Sequence, residues 1–360
     1  MIHIITGTKA QLIKMAPILR RLKDRGIDYN HISTGQHHAT MDEISANFGI
    51  KKPDRELYSG RDITAVFDML CWSIRILWET LRRGKKIFRH DTNGIVLVHG
   101  DTFSTLLGAL MGRLAGLKVA HVESGLRSHD LFQPFPEEIF RLVTFRIADI
   151  LFCPGARACG NVAGLQKITI NTKENSLLDS LKMIRPITHR IQDIPIPSSE
   201  FGLVSLHRFE NFSNYASARR IVDTILQIAE SRHLVFILHK FTEERLAANK
   251  LIGRLSANNN IELRPRYDYV RFMTLLDRAE FLISDGGSNQ EECYYMGKPL
   301  LILRNVSERE QGLGRNALLS RFDPALIRQF IQRPDAFRHP FLEIPVSPSD
   351  IIVAHCLRYQ

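Results

Sequence analysis

The stretch from Ile95 to Glu138 constrains the fold of this chain most. It opens with Ile95–Val98, an apolar run that is rich in β-branched residues and too short for a globular helix, which predicts a parallel strand. A turn at Gly100–Thr102 leads into a helix of small residues, and a second apolar strand follows at Lys118–Val122. This strand–helix–strand order predicts an α/β fold with parallel sheets.

Three carboxylates follow these elements where a ligand is expected. Asp101 comes directly after the first strand, Glu123 directly after the second, and Glu137 lies on a loop flanked by Pro134 and Pro136. Open parallel sheets bind ligands beyond the carboxyl ends of their strands. Acid and base groups near one crevice are what proton transfer at carbon requires. The sequence therefore predicts a site built on these three acids.

The length of the chain and its repeated alternation of strands and helices predict two domains. The 360 residues are 44% hydrophobic, and the alternation restarts near residue 202. We expect two α/β domains whose parallel sheets face a central cleft. The predicted limits are residues 1–168 and 169–347, with an interdomain linker within 164–180. A C-terminal helix at 348–360 is expected to pack back on the first domain.

Composition narrows the class of protein. The net charge of +10 favours acidic partners, but no nucleic-acid-binding motif occurs, so no nucleic-acid partner is expected. No run of about 18 apolar residues and no signal-peptide pattern occur, so a cytoplasmic protein is expected. The five cysteines lack metal-ligand spacing, and nothing near His37 and His38 completes a ligand set. We therefore expect no metal and reduced thiols.

A basic amphipathic segment at Trp72–His90 has two interpretations. It is either a solvated helix end with cations near its negative pole, or a contact with an anionic membrane. Four apolar side chains favour the membrane contact: Trp72, Trp78, Ile87 and Phe88. A longer apolar stripe with helical spacing predicts core packing, and it comprises Ile63, Val66, Phe67, Leu70, Ile74, Leu77 and Leu81.

The turn after the first strand, Gly7–Lys9, predicts an anion site. It precedes a helix from about Ala10 to Lys23, so backbone N–H groups and either Lys9 or Lys14 would face a ligand. No GxGxxG and no Walker lysine pattern occur, so neither a dinucleotide signature nor a P-loop is supported.

Taken together, these motifs resemble those of the non-hydrolysing UDP-N-acetylglucosamine 2-epimerase family. The resemblance runs in order over nearly the whole chain, and it implies two Rossmann-like domains in a GT-B-like arrangement, a homodimer and no cofactor. The matching segments are HGDT (99–102), HVESGLRS (121–128), PFPEE with Arg141 (134–141), HRFEN (207–211), GGSNQEE with GKP (286–292 and 297–299) and SERE (307–310).

The resemblance implies inversion of C2 in a UDP-N-acetylhexosamine, interconverting UDP-GlcNAc and UDP-ManNAc for surface-polysaccharide synthesis. A base removes the C2 proton while UDP leaves C1, and UDP then adds back to a 2-acetamidoglucal. Transfers on opposite faces need more than one acid/base group. The catalytic candidates are Asp101, Glu123, Glu137 and His207. Their structural alternatives are, in that order, a turn residue, a helix N-terminal acid, a loop brace and a diphosphate contact.

The resemblance also implies that the second domain binds UDP. Glu292 would accept hydrogen bonds from both ribose hydroxyls, and N–H groups at Gly287 and Ser288 suit the diphosphate. Phe272 is either a stacking face for uracil or part of the core. The full predicted substrate- and UDP-binding set is Lys9, Lys14, Arg141, His239, Phe272, Gly286, Gly287, Ser288, Glu292 and Arg309.

Three departures from the family pattern bear on binding. Lys9 stands in place of the family's arginine, so a point charge replaces a bidentate fork. Residues 285–288 read DGGS instead of DSGG, which moves a hydroxyl. Residues 36–41 differ from the family's allosteric-site pattern, so activation by the substrate is left open.

Other functions remain open beside epimerisation. A glycosyltransferase of the same fold, with a nucleotide sugar and a membrane-linked acceptor, is favoured by the altered nucleotide motifs and by the basic segment Trp72–His90. Retention of all four acid/base positions opposes it. A hydrolysing enzyme that releases N-acetylmannosamine and UDP, and a non-catalytic binding protein, are further alternatives.

Overall fold

The computed structural model describes residues 1–37, 41–60, 62–63, 66–130, 136–307 and 309–359. The chain divides into two compact units, of which the first comprises Met1–Ile184 with Ile344–Gln360 and the second comprises Arg185–Glu343.

The first unit is built on a seven-stranded sheet in the order β3-β2-β1-β4-β5-β6-β7, with every neighbouring pair parallel. The strands are β1 Ile2–Thr6, β2 Tyr29–Ser33, β3 Arg55–Glu56, β4 Ile95–His99, β5 Lys118–Val122, β6 Ile150–Cys153 and β7 Ile168–Asn171. The helices are α1 Lys9–Asp24, α2 Met41–Asn47, α3 Val66–Ile87, α4 Phe103–Leu114, α5 Glu137–Ile147, α6 Ala156–Val162 and α7 Leu177–Thr188.

The second unit is built on a six-stranded parallel sheet in the order β10-β9-β8-β11-β12-β13. Its strands are β8 Phe201–Leu206, β9 His233–Leu238, β10 Ile261–Pro265, β11 Phe281–Ser284, β12 Leu300–Ile302 and β13 Ala317–Leu319. Its helices are α8 Phe209–Phe212, α9 Tyr215–Ala229, α10 Lys240–Ala248, α11 Ile252–Ser256, α12 Tyr269–Arg278, α13 Gly287–Met296 and α14 Pro324–Gln332. Two Rossmann-like α/β domains with parallel sheets, as predicted, are confirmed.

Small residues let α4 lie close to the middle of the first sheet. A Cβ added at Gly108 would stand 2.9 Å from Val98 Cγ1, and one added at Gly112 would stand 2.9 Å from Val119 Cγ2. Any larger side chain at either position would push the helix away from β4 and β5. The run of small residues therefore fixes the start of α4, and with it the turn that carries Asp101.

The division between the units falls later than the predicted limit at 168/169. Strand β7 pairs with β6 along its whole length, so the segment predicted as a linker adds an edge strand to the first sheet. The boundary lies within α7, between Ile184 and Arg185. After the second unit, the last helix, α15 (Pro348–Cys356), packs against α1.

The face of helix α3 that packs on the core is not the face that the apolar stripe predicts. Three members of that stripe are exposed, namely Leu70, Ile74 and Leu81. Three of the four apolar side chains that favoured membrane contact are buried in the core instead, namely Trp72, Ile87 and Phe88, and only Trp78 is exposed. Val66 and Phe67 of the stripe have side chains outside the described set. Across the described residues, no helix is long and apolar enough to cross a membrane.

Candidate active site

Asp101 lies in a fixed turn at the carboxyl end of β4. Gly100 has a φ of +73°, in the left-handed region that favours glycine. Thr102 caps α4, and its hydroxyl accepts a hydrogen bond from the Thr105 backbone N–H at 3.3 Å. Because both ends of the turn are held, the Asp101 carboxylate leaves the sheet at a defined position.

Glu123 leaves the neighbouring strand beside Asp101. Strands β4 and β5 pair in parallel register over their full lengths, so residues that follow them emerge at one edge of the sheet. The Glu123 backbone is left-handed, with a φ of +65°. Its carboxylate accepts hydrogen bonds from the Lys14 ammonium group and the Asn175 amide. Glu123 therefore has a cation and an amide as partners while its side chain is only 7% exposed.

Helix α5 connects Glu137 to the same group of residues. Glu137 is the first residue of α5, and Arg141 lies one turn later on the same face. The Arg141 guanidinium donates to the Asp101 carboxylate and, at 3.1 Å, to Glu138 Oε2. Among the described residues, Glu137 Oε2 is buried and lacks a hydrogen-bond partner. A carboxylate oxygen without a partner is suited to receive a proton.

At the predicted anion site at the start of α1, the donor groups bond to other residues of the chain. The backbone N–H groups of Gly7 and Thr8 donate to Gln11 Oε1 at 2.8 and 3.1 Å. Lys14 is engaged by the Glu123 carboxylate, and Lys9 is half-buried at the first position of the helix. Lys14 therefore links α1 to the acids, whereas the two N–H groups cap the start of the helix.

Two buried histidines flank the acids. His99 Nε2 lies 3.6 Å from Glu123 Oε2, and His121 is fixed by the Gly100 carbonyl at 2.6 Å and the Ser124 hydroxyl at 2.7 Å. Burial lowers the pKa of each imidazole to about 4, although the nearby Glu123 carboxylate opposes this shift. Both rings are therefore neutral at pH 7.

In the second unit, a buried carboxylate holds the turn that carries His207. Strands β8 and β11 are neighbours, and Asp285 follows β11. The Asp285 carboxylate accepts hydrogen bonds from the backbone N–H groups of His207 and Arg208, both at 3.0 Å, and from Asn211 Nδ2 at 2.8 Å. A carboxylate that is satisfied by backbone N–H groups fixes the path of the chain at this edge.

The glycine at 286 leaves room for the His207 imidazole. A Cβ at Gly286 would stand 2.8 Å from His207 Cε1, so a larger residue would displace the ring. The rings of His207 and His239 lie 4.8 Å apart. Burial lowers the pKa of His207, and it lowers that of His239 to about 4. Gly287 begins α13, and Ser288 is exposed in its first turn.

Glu292 is held one turn into α13. Its Oε2 accepts a hydrogen bond from Asn289 Nδ2 at 2.9 Å, and its charge acts on the buried Tyr269 phenol. Burial, and then the Glu292 charge, raise the pKa of Tyr269 well above its ordinary range. Phe272 is half-buried on the same helix as Tyr269.

The loop that carries Arg309 is anchored to α13. Arg309 Nη1 pairs with buried Glu291 at 3.1 Å. The Gln290 amide donates to the carbonyls of Arg309 and Gln311 at 3.0 and 2.8 Å. The GGSNQEE segment therefore supports this loop as well as starting a helix.

The sequence did not reveal several residues that hold the candidate groups. Asn175 binds Glu123, and Glu138 binds Arg141. Glu138 lay inside a matched motif, but nothing in the pattern distinguished its role from that of Glu137. The pairing of Asn175 with Glu123 carried no signal, because the two residues are 52 positions apart in sequence.

The fold and the two groups of residues define a two-domain enzyme of the Rossmann-like class, with an acid cluster on one sheet and a glycine-initiated helix on the other. The model of the UDP-N-acetylglucosamine 2-epimerase family matches residues 20–336. The enzyme of that name from Methanocaldococcus jannaschii is 30% identical over 359 residues, covering 94% of each chain. The Bacillus subtilis enzyme is 30% identical over 349 residues, covering 93% of this chain and 88% of its own.

Solved structures agree with the sequence comparison. The UDP-GlcNAc 2-epimerase from Neisseria meningitidis, bound to UDP-GlcNAc, has a TM-score of 0.82 at 25% identity and covers 99% of both chains. The M. jannaschii enzyme in complex with UDP-GlcNAc and UDP has a TM-score of 0.74 at 27% identity, covering 100% of this chain and 99% of its own. This chain belongs to the UDP-N-acetylglucosamine 2-epimerase family.

The neutral buried histidines predict an acid-sensitive first unit. His99 and His121 have folded pKa values of about 4, below the unfolded value of about 6.5, so the unfolded chain binds more protons between these limits. Their contribution to stability is present above pH 6.5 and is lost as the pH falls towards 4. We expect the midpoint of urea unfolding to decrease over this range, and a midpoint that stays constant would contradict the assignment.

Proposed function

We propose that the chain interconverts UDP-GlcNAc and UDP-ManNAc, or a related UDP-N-acetylhexosamine pair. One observation carries the proposal, namely that the acids Asp101 and Glu123 leave adjacent strands while Glu137 shares a helix face with the arginine that binds Asp101. Membership of the family supports the same reaction.

The chemistry needs groups that accept and return protons on opposite faces of the sugar. In the first step a carboxylate takes the C2 proton, the C1–O bond breaks, UDP departs with the electron pair, and the C1–C2 double bond of a 2-acetamidoglucal forms. In the second step UDP adds back to C1 and an acid delivers a proton to the other face of C2. Asp101, Glu123 and Glu137 are the proposed acid/base groups.

The second unit is proposed to hold UDP. Glu292 is held by Asn289, which leaves a defined carboxylate for the ribose hydroxyls. The N-terminus of α13, at Gly287, suits the diphosphate. His207, on the turn that Asp285 pins, is proposed to contact the diphosphate and assist proton transfer.

The glycosyltransferase alternative loses much of its support. It depended partly on a membrane-binding segment at Trp72–His90, and three of the four apolar side chains that favoured such a segment lie in the core. No observation favours the hydrolysing enzyme or the non-catalytic binding protein.

The proposed reaction predicts C2 deuterium incorporation. In heavy water, the purified protein should exchange the C2 proton of a UDP-N-acetylhexosamine, as measured by proton NMR over a panel of UDP-sugars. Asp101→Asn and Glu137→Gln should each lower the exchange rate by about 100-fold or more, because each removes an acid/base group. Folded protein that exchanges no UDP-sugar would overturn the proposal.

The proposed nucleotide site predicts discrimination between UDP and 2′-deoxy-UDP. Replacing Glu292 by Gln removes a charged acceptor, so the Kd for UDP should rise about tenfold by calorimetry, and the preference for UDP over the deoxy compound should shrink. A matched control is Glu280→Gln, which loses a half-buried partner of Arg232 at the other end of β11. Equal discrimination in wild type and Glu292→Gln would contradict the assignment.

The predicted homodimer is proposed to form through α3. Its exposed side carries an apolar row of Leu70, Ile74, Trp78 and Leu81, which suits a second copy of the chain. Light scattering should report a dimer, and Trp78→Glu should give a folded monomer because the ring is 60% exposed. A wild-type monomer that pellets with anionic vesicles would instead favour the membrane contact.

A further inference from the structure

Glu138 is a fully buried carboxylate that accepts hydrogen bonds from two arginines and a backbone N–H group. Its side chain has no solvent exposure. Oε1 accepts from the Arg127 guanidinium, and Oε2 accepts from the Ser128 backbone N–H at 3.2 Å and from Arg141 Nη1 at 3.1 Å. Burial alone would raise the pKa of Glu138, but these donors outweigh burial and hold the pKa below its ordinary value. The group is therefore an ionised, fixed anchor.

Arg141 stands between this anchor and a proposed acid/base group. Nη1 of its guanidinium donates to Glu138, and Nη2 donates to Asp101. The three side chains thus alternate in charge from the buried interior to Asp101, which is 27% exposed. Glu138 itself has no described contact with Asp101, so any effect on that residue must pass through the arginine.

Because the Arg141 guanidinium is planar, its bond to Glu138 restricts the direction of its bond to Asp101. With Nη1 held by a buried carboxylate, the plane of the group is set, and Nη2 can point only along one line. Without that anchor, Arg141 would keep its pairing with Asp101 but gain torsional freedom. The orientation of Asp101 therefore depends on a residue whose side chain has no solvent exposure.

We propose that Glu138 is a positioning residue, which orients Asp101 for proton transfer through Arg141. The proposal rests on the proposed epimerase function. It separates the two adjacent glutamates of α5, because Glu137 has a buried oxygen without a partner whereas Glu138 is fully bonded.

The test is Glu138→Gln, which keeps the shape of the side chain and removes its charge. We expect kcat for C2 exchange to fall about 10- to 100-fold, the usual effect of losing a group that supports a catalytic one, while KM stays within about threefold. Glu138→Asp keeps the charge and should recover part of the lost rate. In an Asp101→Asn background, Glu138→Gln should add little, because the residue acts through Asp101.

The control for a merely structural effect is Glu280→Gln, in which a half-buried carboxylate paired with Arg232 is lost in the second unit. It should leave kcat within about twofold, whatever its effect on the melting temperature. If Glu138→Gln does not fold, Glu138→Asp decides, and at least a threefold loss of kcat with unchanged UDP affinity supports the proposal.

The outcomes separate the two hypotheses. Wild-type exchange with an unchanged kcat in folded Glu138 variants would overturn the positioning role alone. A full, independent effect of Glu138→Gln in the Asp101→Asn background would also overturn it. Absence of C2 exchange in the wild type would overturn the proposed function, and the positioning role with it.

Discussion

The parallel pairing of β4 with β5 is the constraint on which the first unit depends. It delivers Asp101 and Glu123 to one edge of the sheet, where two carboxylates would repel each other unless each had a cation. Lys14 and Arg141 provide those cations from different helices. His99 and His121 are too deeply buried to carry charge at pH 7, so they add no positive charge at this edge. The cluster thus places neutral imidazoles beside acids that are paired with cations.

In the second unit, a buried carboxylate fixes the turn that carries the candidate residue His207. Asp285 accepts hydrogen bonds from two backbone N–H groups and an amide, which fixes the turn after β8. The neighbouring imidazoles of His207 and His239 then depend on the missing side chain at Gly286. The family's DSGG order would place a side chain there, so the DGGS order of this chain and its histidine geometry are linked. In each unit, the candidate residues lie at strand ends that a parallel sheet brings together.

Two predictions differ from the structure for clear physical reasons. Strand β7 is an edge strand, half to fully exposed, so its sequence lacks the apolar run of an interior strand and favours a linker. The stripe on α3 predicts core packing, because apolar spacing identifies a face but not what covers it. The helix instead buries Trp72 and Ile76 and leaves Leu70 and Ile74 exposed. When a helix has apolar residues on two sides, its sequence does not determine which side packs against the sheet.

The sequence by itself determined the α/β class, the interior strands and the acids at their ends, because apolar runs and polar strand ends are local patterns. The family motifs are local as well, and they identified the chain's relatives. Only the tertiary structure decided which charges meet. Lys14 binds Glu123 from a helix 109 positions earlier, and Arg141 reaches Asp101 across 40 positions. Such pairings follow from how helices pack on a sheet, and no spacing along the chain encodes them.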